Sequence, residues 1–315
     1  MTVIPEPESA ELNPTHVRRA LGGNTATGIL KLIALVFMMI DHSGKMVFPG
    51  IPEMRYLGRI AFPVYVWCMI VGFEYTRSVP KYLVRILLVG LGSQPLYMVA
   101  LNHKWYEPNI FLTLFLGLCA LWGIREKKFG SQFWAPVLAI LLSGILKVDY
   151  GWKGILFMLL LYPVRYLRSG IAAVMIAYFL FWGCFYSLTP SLFGWTIPYN
   201  DMFEPLQGIM KALNRSEAYG LLSLPLILIS FRKDWKMPHW LSYALYPAHL
   251  VLPWIMETLK KENENGAARK SLTRFGKHGI IPNCQRKGYR FRSARKPLGS
   301  ARLAPVAQLD RATAF

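Results

Sequence analysis

Charge is scarce in this chain of 315 residues: 17% are charged, against about 25% in ordinary soluble domains. Acidic residues are the rarer sign, with 17 Asp and Glu against 36 Lys and Arg. Cysteine is nearly absent. Cys68, Cys119 and Cys184 lie in apolar stretches and Cys284 in a basic tail, with no CxxC or Cys/His ligand spacing. That excludes a disulfide framework and a zinc site, so no metal is expected; the thiols read as small buried hydrophobes. Gly-rich phosphate loops, Walker motifs, GxSxG elbows and HExxH are missing, which removes the common nucleotide-binding and hydrolase classes. No internal repeat is visible, and this argues against an inverted-repeat transporter. The polar, partly acidic stretch 1–28 lacks the basic-then-apolar order of a cleaved signal.

Apolar residues are abundant instead, 54% of the chain, with mean hydropathy +0.31. A membrane-crossing helix needs roughly 20 mostly apolar residues. Nine such stretches lie near 29–48, 57–75, 82–101, 109–125, 133–148, 151–168, 169–188, 218–232 and 239–258. Residues 200–213 read as a tenth, partial or interfacial helix. Backbone groups in lipid must be bonded internally, so the stretches are helices; they are too long and unalternating for barrel strands. The expected fold is an all-α, polytopic integral membrane helical bundle of about nine to ten transmembrane helices. It occupies residues 29–259, between a polar N-terminal cytoplasmic segment (1–28) and a basic, disordered tail (260–315).

The formal charge of +19 divides unevenly. Residues 260–315 hold 14 Lys and Arg against three Asp and Glu, and have no long apolar run. Within the body, Lys and Arg favour alternate loops. The N-terminal segment and every second loop carry 13, including Arg18, Arg19, Arg77, Lys81, Arg85, Arg125, Arg165, Arg168, Arg232, Lys233 and Lys236; the other loops carry seven. The richer set reads as cytoplasmic, so the N-terminus is expected inside. The tail ends Pro305-Val-Ala-Gln-Leu-Asp-Arg-Ala-Thr-Ala-Phe315. This run resembles conceptual translations of transfer-RNA genes, so a natural end near Lys260 followed by frameshift or read-through is expected. A genuine basic tail touching anionic lipid is the alternative. Lacking aromatic platforms, the tail is not a nucleic-acid module, and no nucleic-acid partner is expected; the lipid bilayer is.

Ionisable groups inside apolar helices are costly and mark function by default. The first helix carries Lys31 and, 11 residues on, His42, about 20° from exact alignment at 100° per residue. A histidine near pKa 6.5 can take and return a proton at neutral pH, which suits acyl transfer to an amine or hydroxyl. Asp41 points about 100° away on the helical wheel and is suited to binding another helix. An inert, hydrogen-bonded Asp-His pair at a helix end is the plain alternative. In the last helix Tyr246 and His249 share a face beside Pro247. Arg59 lies within the second span and needs a partner such as Asp41. Glu74 and Arg77 are i, i+3, and Lys81 and Arg85 follow, a basic group suited to the phosphates of a nucleotide-bearing donor; an ordinary positive-inside signal explains it equally. Ser93-Gln94-Pro95, Asn109 to Thr113 and Tyr150-Gly151 read as helix ends, and Asn109 and Thr113 as liners of a polar cavity or interhelical hydrogen bonders.

Seven motifs recur in order: Lys31-Leu-Ile-Ala with Ile40-Asp41-His42-x-Gly44; Gly58-Arg59-x-Ala-Phe-Pro63; Glu74-x-Thr-Arg77; Ser93-Gln94-Pro95; Asn109-Ile-Phe-x-Thr113-Leu-x-x-Gly117; Tyr150-Gly151; and Tyr246-Pro247-x-His249. Over about Leu30 to Met256 the chain thereby resembles the TraX family of integral membrane proteins, related to the membrane acyltransferases that acetylate sugars. The resemblance implies an inner-membrane acetyltransferase acting on the N-terminal amine of a pilin, with acetyl-CoA as donor. It implies His42 as general base supported by Asp41 and Arg59, His249 and Tyr246 in the same cavity, and Arg77 and Arg85 on the donor. The sugar-acetylating relatives carry a basic residue and a histidine at the spacing of Lys31 and His42; Lys stands here where Arg is usual, and Lys lacks the planar fork. O-acetylation of a cell-envelope glycan, proton-coupled transport and a non-enzymatic role in pilus assembly are the rival readings.

Overall fold

The computed structural model describes residues 20–186, 188–189, 191–231 and 239–277. Arg18, Arg19, Arg232, Lys233, Lys236, Cys284 and the run 305–315 lie outside them. The described residues form α1 (Thr27–Met46), α2 (Pro52–Gly58), α3 (Ala61–Tyr75), α4 (Val79–Leu101), α5 (Ile110–Glu126), α6 (Ser131–Ile145), α7 (Gly151–Leu161), α8 (Arg168–Gly183), α9 (Glu204–Leu213), α10 (Leu224–Leu228) and α11 (His239–Lys277). A 3-10 stretch, Ser216–Ser223, leads into α10, and a hairpin pairs β1 (Ser191–Leu192) with β2 (Trp195–Thr196). The described residues are all-α apart from that hairpin and one isolated bridge between Leu188 and Arg215.

Among the described residues three helical segments are long and apolar enough to cross a membrane: Thr27–Met46, Pro52–Tyr75 and Val79–Leu101. The others fall short for local reasons. α7 has 11 residues, about 16 Å of helix. The stretch 216–228 opens as 3-10 and has Pro225 early in α10. Within the long segment Pro52–Tyr75, Pro63 removes the amide that would bond the Arg59 carbonyl, and the helix is interrupted at Arg59–Ile60 between α2 and α3.

Helix ends behave partly as the sequence indicates. Asn109 caps α5, its side chain accepting from the Phe111 amide. Tyr150, at φ 61°, precedes α7. Gln94 and Pro95, expected at a helix end, lie inside α4, which runs on to Leu101 and stops at Asn102 in the left-handed region. A single missing donor does not stop a helix packed on its neighbours. Cys184, expected to be buried, is exposed, its Sγ donating to the Leu180 carbonyl.

Contacts sort the helix ends into two groups. At one end the Gly22 amide donates to the Arg165 carbonyl, Arg165 pairs with Glu74, Arg125 donates to the Phe73 carbonyl, and Arg168 to that of Leu228. At the other, Arg55 pairs with Asp41, Lys260 donates to the Val47 carbonyl, and Glu53 accepts from the Phe193 amide. We call these the Arg165 end and the His42 end.

α3 lies at the centre, with Trp67, Ile70 and Phe73 fully buried. Phe62 stacks on Tyr150 at 4.0 Å and meets Trp182 edge-on at 5.8 Å. α6 shows what surrounds the bundle. Its inward positions are Ser131, Ala135, Ala139 and Ser143, while Phe133, Val137, Leu141 and Ile145 are exposed. Small residues inward and large apolar residues outward is the pattern of a helix packed in lipid, the reverse of a water-soluble one.

Close backbone approach holds α1 to α2. A Cβ at Gly58 would lie 2.3 Å from the Asp41 Cβ and 2.5 Å from its Oδ1. Gly58→Ala is expected to lower thermal stability in detergent by about 1–3 kcal/mol. Gly92→Ala, where a Cβ meets nothing within 4 Å, is expected to leave it unchanged or slightly raised. Equal effects of the two in melting experiments would overturn this packing account.

Candidate functional site

Residues 207 apart in sequence meet at the His42 end: His42 Nδ1 lies 3.0 Å from His249 Nε2, with the rings stacked at 5.0 Å. α1 carries His42 about one turn before its end, and α11 brings His249 alongside. His42 is half-buried and His249 is buried. The hydrogen-bond partners fix the tautomers. His249 Nδ1 meets the Tyr246 carbonyl, which can only accept, so this nitrogen carries the hydrogen. In the neutral ring His249 Nε2 is then an acceptor, and His42 Nδ1 donates to it. His42 Nε2 is left with its lone pair, the nitrogen able to take a proton. Tyr246 is buried against Phe111, edge-on at 4.4 Å.

Charged groups flank the pair. Asp41 accepts from Arg55 Nε at 3.0 Å. The expected Asp41–Arg59 contact does not form. Arg59 turns instead to Glu217, Nε to Oε1 at 3.0 Å, an ion pair by distance although the N–H is not aimed along it. Glu217 is buried, as is Lys153, which lies over the Phe185 and Tyr186 rings. Sequence reasoning missed Arg55's role and Glu217. Glu217 precedes an apolar stretch, and an acid there is the signal that could have found it.

At the mouth, Lys45 Nζ lies 3.4 Å from His103 Nε2, and His103 Nδ1 is 3.0 Å from Glu107 Oε2. A lysine donor makes Nε2 the acceptor, so His103 donates through Nδ1. The Lys104 amide also donates to Glu107 at 3.0 Å, and this bond holds the Glu107 carboxyl below its usual range. A cleft of about 430 Å³ opens at this end between Lys45, Leu101, Asn102, Trp254, Glu257 and Lys261, and neither His42 nor His249 lines it.

The other expected site residues lie elsewhere. Lys31 is half-buried on the face of His42 but about three turns earlier, about 16 Å along α1. Glu74 pairs with Arg165 at 3.1 Å and accepts from the Tyr166 hydroxyl at 2.6 Å, not from Arg77. Arg77 and Arg85 are exposed, with Arg85 bonded to the Lys81 carbonyl. Arg85 stands about 24 Å along α4 from Leu101, towards the Arg165 end. Asn109 is fully engaged: besides its cap, Nδ2 donates to the Gly90 carbonyl at 2.8 Å and to Ser93 Oγ at 3.1 Å, and its amide to Gln94 Oε1 at 2.9 Å. It fastens α5 to α4.

Residues 26–257 match the family model described as TraX protein. The chain is 30% identical over 148 residues to an uncharacterised protein of Rickettsia prowazekii, covering 45% of this chain and 57% of that one. It is also 30% identical over 153 residues to the probable fimbrial assembly protein FimC, serogroup H1, of Dichelobacter nodosus, covering 43% and 62%. The chain thus spans about three fifths of the length of these relatives. No solved structure matches it.

Removing one partner of a buried ion pair strands the other. Glu217→Ala is expected to cost about 3 kcal/mol of stability in detergent, and Arg59→Met with Glu217→Leu to recover much of that loss. A Glu217→Ala protein that melts like the parent would show that the pair carries no weight.

Proposed function

The chain belongs to the TraX family, and on that premise we propose that it is a membrane-embedded acyltransferase moving an acetyl group from acetyl-CoA to the N-terminal amine of a pilin. The observation that carries the reading is the His42–His249 pair, whose hydrogen bonds leave a lone pair on His42 Nε2. In this reaction the neutral amine attacks the thioester carbon, the C–S bond breaks, and His42 Nε2 takes the amine proton. The proton then passes to the leaving thiolate, giving an amide and free CoA. The bond from His42 Nδ1–H to His249 steadies the imidazolium between these steps. Asp41, held by Arg55, places a negative charge beside it.

Arg77 and Arg85 meet the donor's phosphates, and the thioester lies at the other end of a long pantetheine arm. The reading requires that arm to run along the bundle from Arg85 towards the His42 end. Lys31, on the His42 face between the two ends, adds positive charge along the way, while the charge of Arg59 is matched by Glu217. The segregation of Arg77, Lys81, Arg85, Arg125, Arg165 and Arg168 towards one end supports nine crossings of a bacterial inner membrane with the N-terminus and this basic end in the cytoplasm. His42 then faces the outer side, where a processed pilin presents its amine.

A second reading is favoured by one observation, the name of the Dichelobacter nodosus relative, a probable fimbrial assembly protein. Here the chain assists pilus assembly without chemistry, and both histidines are dispensable. The two readings separate in mass spectra of pilins from cells with and without the gene. The enzyme reading expects an acetyl mass on the pilin N-terminus that disappears in the deletion strain. An acetyl mass lost from an envelope glycan instead would move the acceptor to a sugar hydroxyl. His42→Ala, inserted normally, is expected to lower acetylation by about 10²–10⁴-fold, and unchanged acetylation would remove His42 as the base.

A further inference from the structure

Between α8 and the 3-10 stretch the chain leaves the bundle as a separate strap. It runs through the hairpin of β1 and β2 and then α9, ten residues long. A helix of that length reaches about 15 Å, half of a hydrocarbon core, so α9 does not cross. It is strongly two-sided. At 100° per residue Leu206, Ile209 and Leu213 fall within about 60° of one another, and Glu204, Gln207 and Lys211 occupy the opposite side.

The orientation of these two sides is the informative fact. Gln207 Nε2 donates to the Tyr199 carbonyl within the strap at 2.6 Å, and Gln207 and Lys211 are half-buried while Glu204 and Gly208 are exposed. The apolar side faces out, with Leu206 at 39%, Ile209 at 57% and Leu213 at 42% exposure, and no residue of α9 is buried. A helix meeting water would be turned the other way. The neighbouring hairpin repeats the pattern: Phe193 is 67% exposed and Trp195 82%.

We propose that this strap lies in the plane of the membrane interface at the His42 end, with Phe193, Trp195, Leu206, Ile209 and Leu213 in the boundary between lipid headgroups and acyl chains. Three observations make lipid the occupant. The strap continues the exposed apolar flank of α8, whose Ile176 and Phe181 lead up to Phe185 at its start, and α8 belongs to the membrane bundle. Aromatic residues dominate its most exposed positions, the composition of a membrane–water interface. Its depth is set by the bundle: the buried Glu53 carboxylate accepts from the Phe193 amide at 2.8 Å, while the Thr189 amide, donating to the Asn214 carbonyl, closes the strap on itself. Such a helix lies on the interface, its apolar side sunk about 5–10 Å. The inference stands whether or not the protein is an acetyltransferase.

The test uses the full chain in vesicles of phosphatidylcholine with anionic lipid, in a background where the four cysteines are replaced. An environment-sensitive fluorophore is placed at Leu206→Cys and Ile209→Cys, and at Glu204→Cys and Gly208→Cys as exposed controls on the polar side. Lipids brominated near the headgroup end of the acyl chain are expected to quench the first pair at least twofold and the second pair hardly at all. Stronger quenching by bromines near the bilayer centre would mean a deeply inserted helix and overturn the proposal. So would equal, weak quenching of all four sites. Protection of the Leu206 and Ile209 sites from water without quenching by any lipid would also overturn it, placing a second copy or a pilin on this face.

Discussion

A bundle surrounded by lipid offers a buried charge no water, and each polar group inside must be satisfied by the protein itself. That constraint organises this structure more than any single apolar contact. It draws Arg59 to Glu217, Glu74 to Arg165 and Tyr166, and Asp41 to Arg55. It also turns Asn109 into a fastener between two helices, with its side chain consumed by Gly90, Ser93 and Phe111. These ties join α1 to α2, α4 to α5, and α3 to the segment that follows α7, and the first of them holds the helix on which His42 sits.

The same rule gives the histidine pair its chemistry. Because the Tyr246 carbonyl takes the only hydrogen on neutral His249, one hydrogen bond dictates the next, and the free lone pair falls on His42. Two helices at opposite ends of the sequence thus set one proton's position. Around the pair sit a compensated acid, Asp41 with Arg55, and a hydrogen-bonded chain of Lys45, His103 and Glu107. The basic residues Arg77 and Arg85 are far along the bundle, so any donor bound there must span the distance rather than sit beside the histidines.

Much was legible before the structure. Apolar runs located the helices, the i, i+3 spacing placed Tyr246 with His249, and the ordered motifs carried the family. Other features were not, for identifiable reasons. Partner choice among charges is a matter of three-dimensional proximity, so nothing in spacing could prefer Arg55 over Arg59 for Asp41, or reveal Glu217. Hydropathy does not register how many residues of an apolar run become helix; α7 keeps only 11 residues and the stretch 216–228 opens as 3-10, and three segments of membrane-crossing length are found among the described residues. Pro95 misled in the other direction, since a helix with tertiary support absorbs one missing donor.

The amino-acid sequence by itself determined the material: an all-α chain, apolar outside as well as inside, with basic residues biased to alternate loops. Those properties are local, written in composition and periodicity, and need no neighbour to be read. Only the tertiary structure decided the pairings, His42 with His249 across 207 residues, Arg59 with Glu217, and the outward turn of α9. Each depends on which surfaces meet when the helices pack, and packing is a property of the whole chain rather than of any window along it.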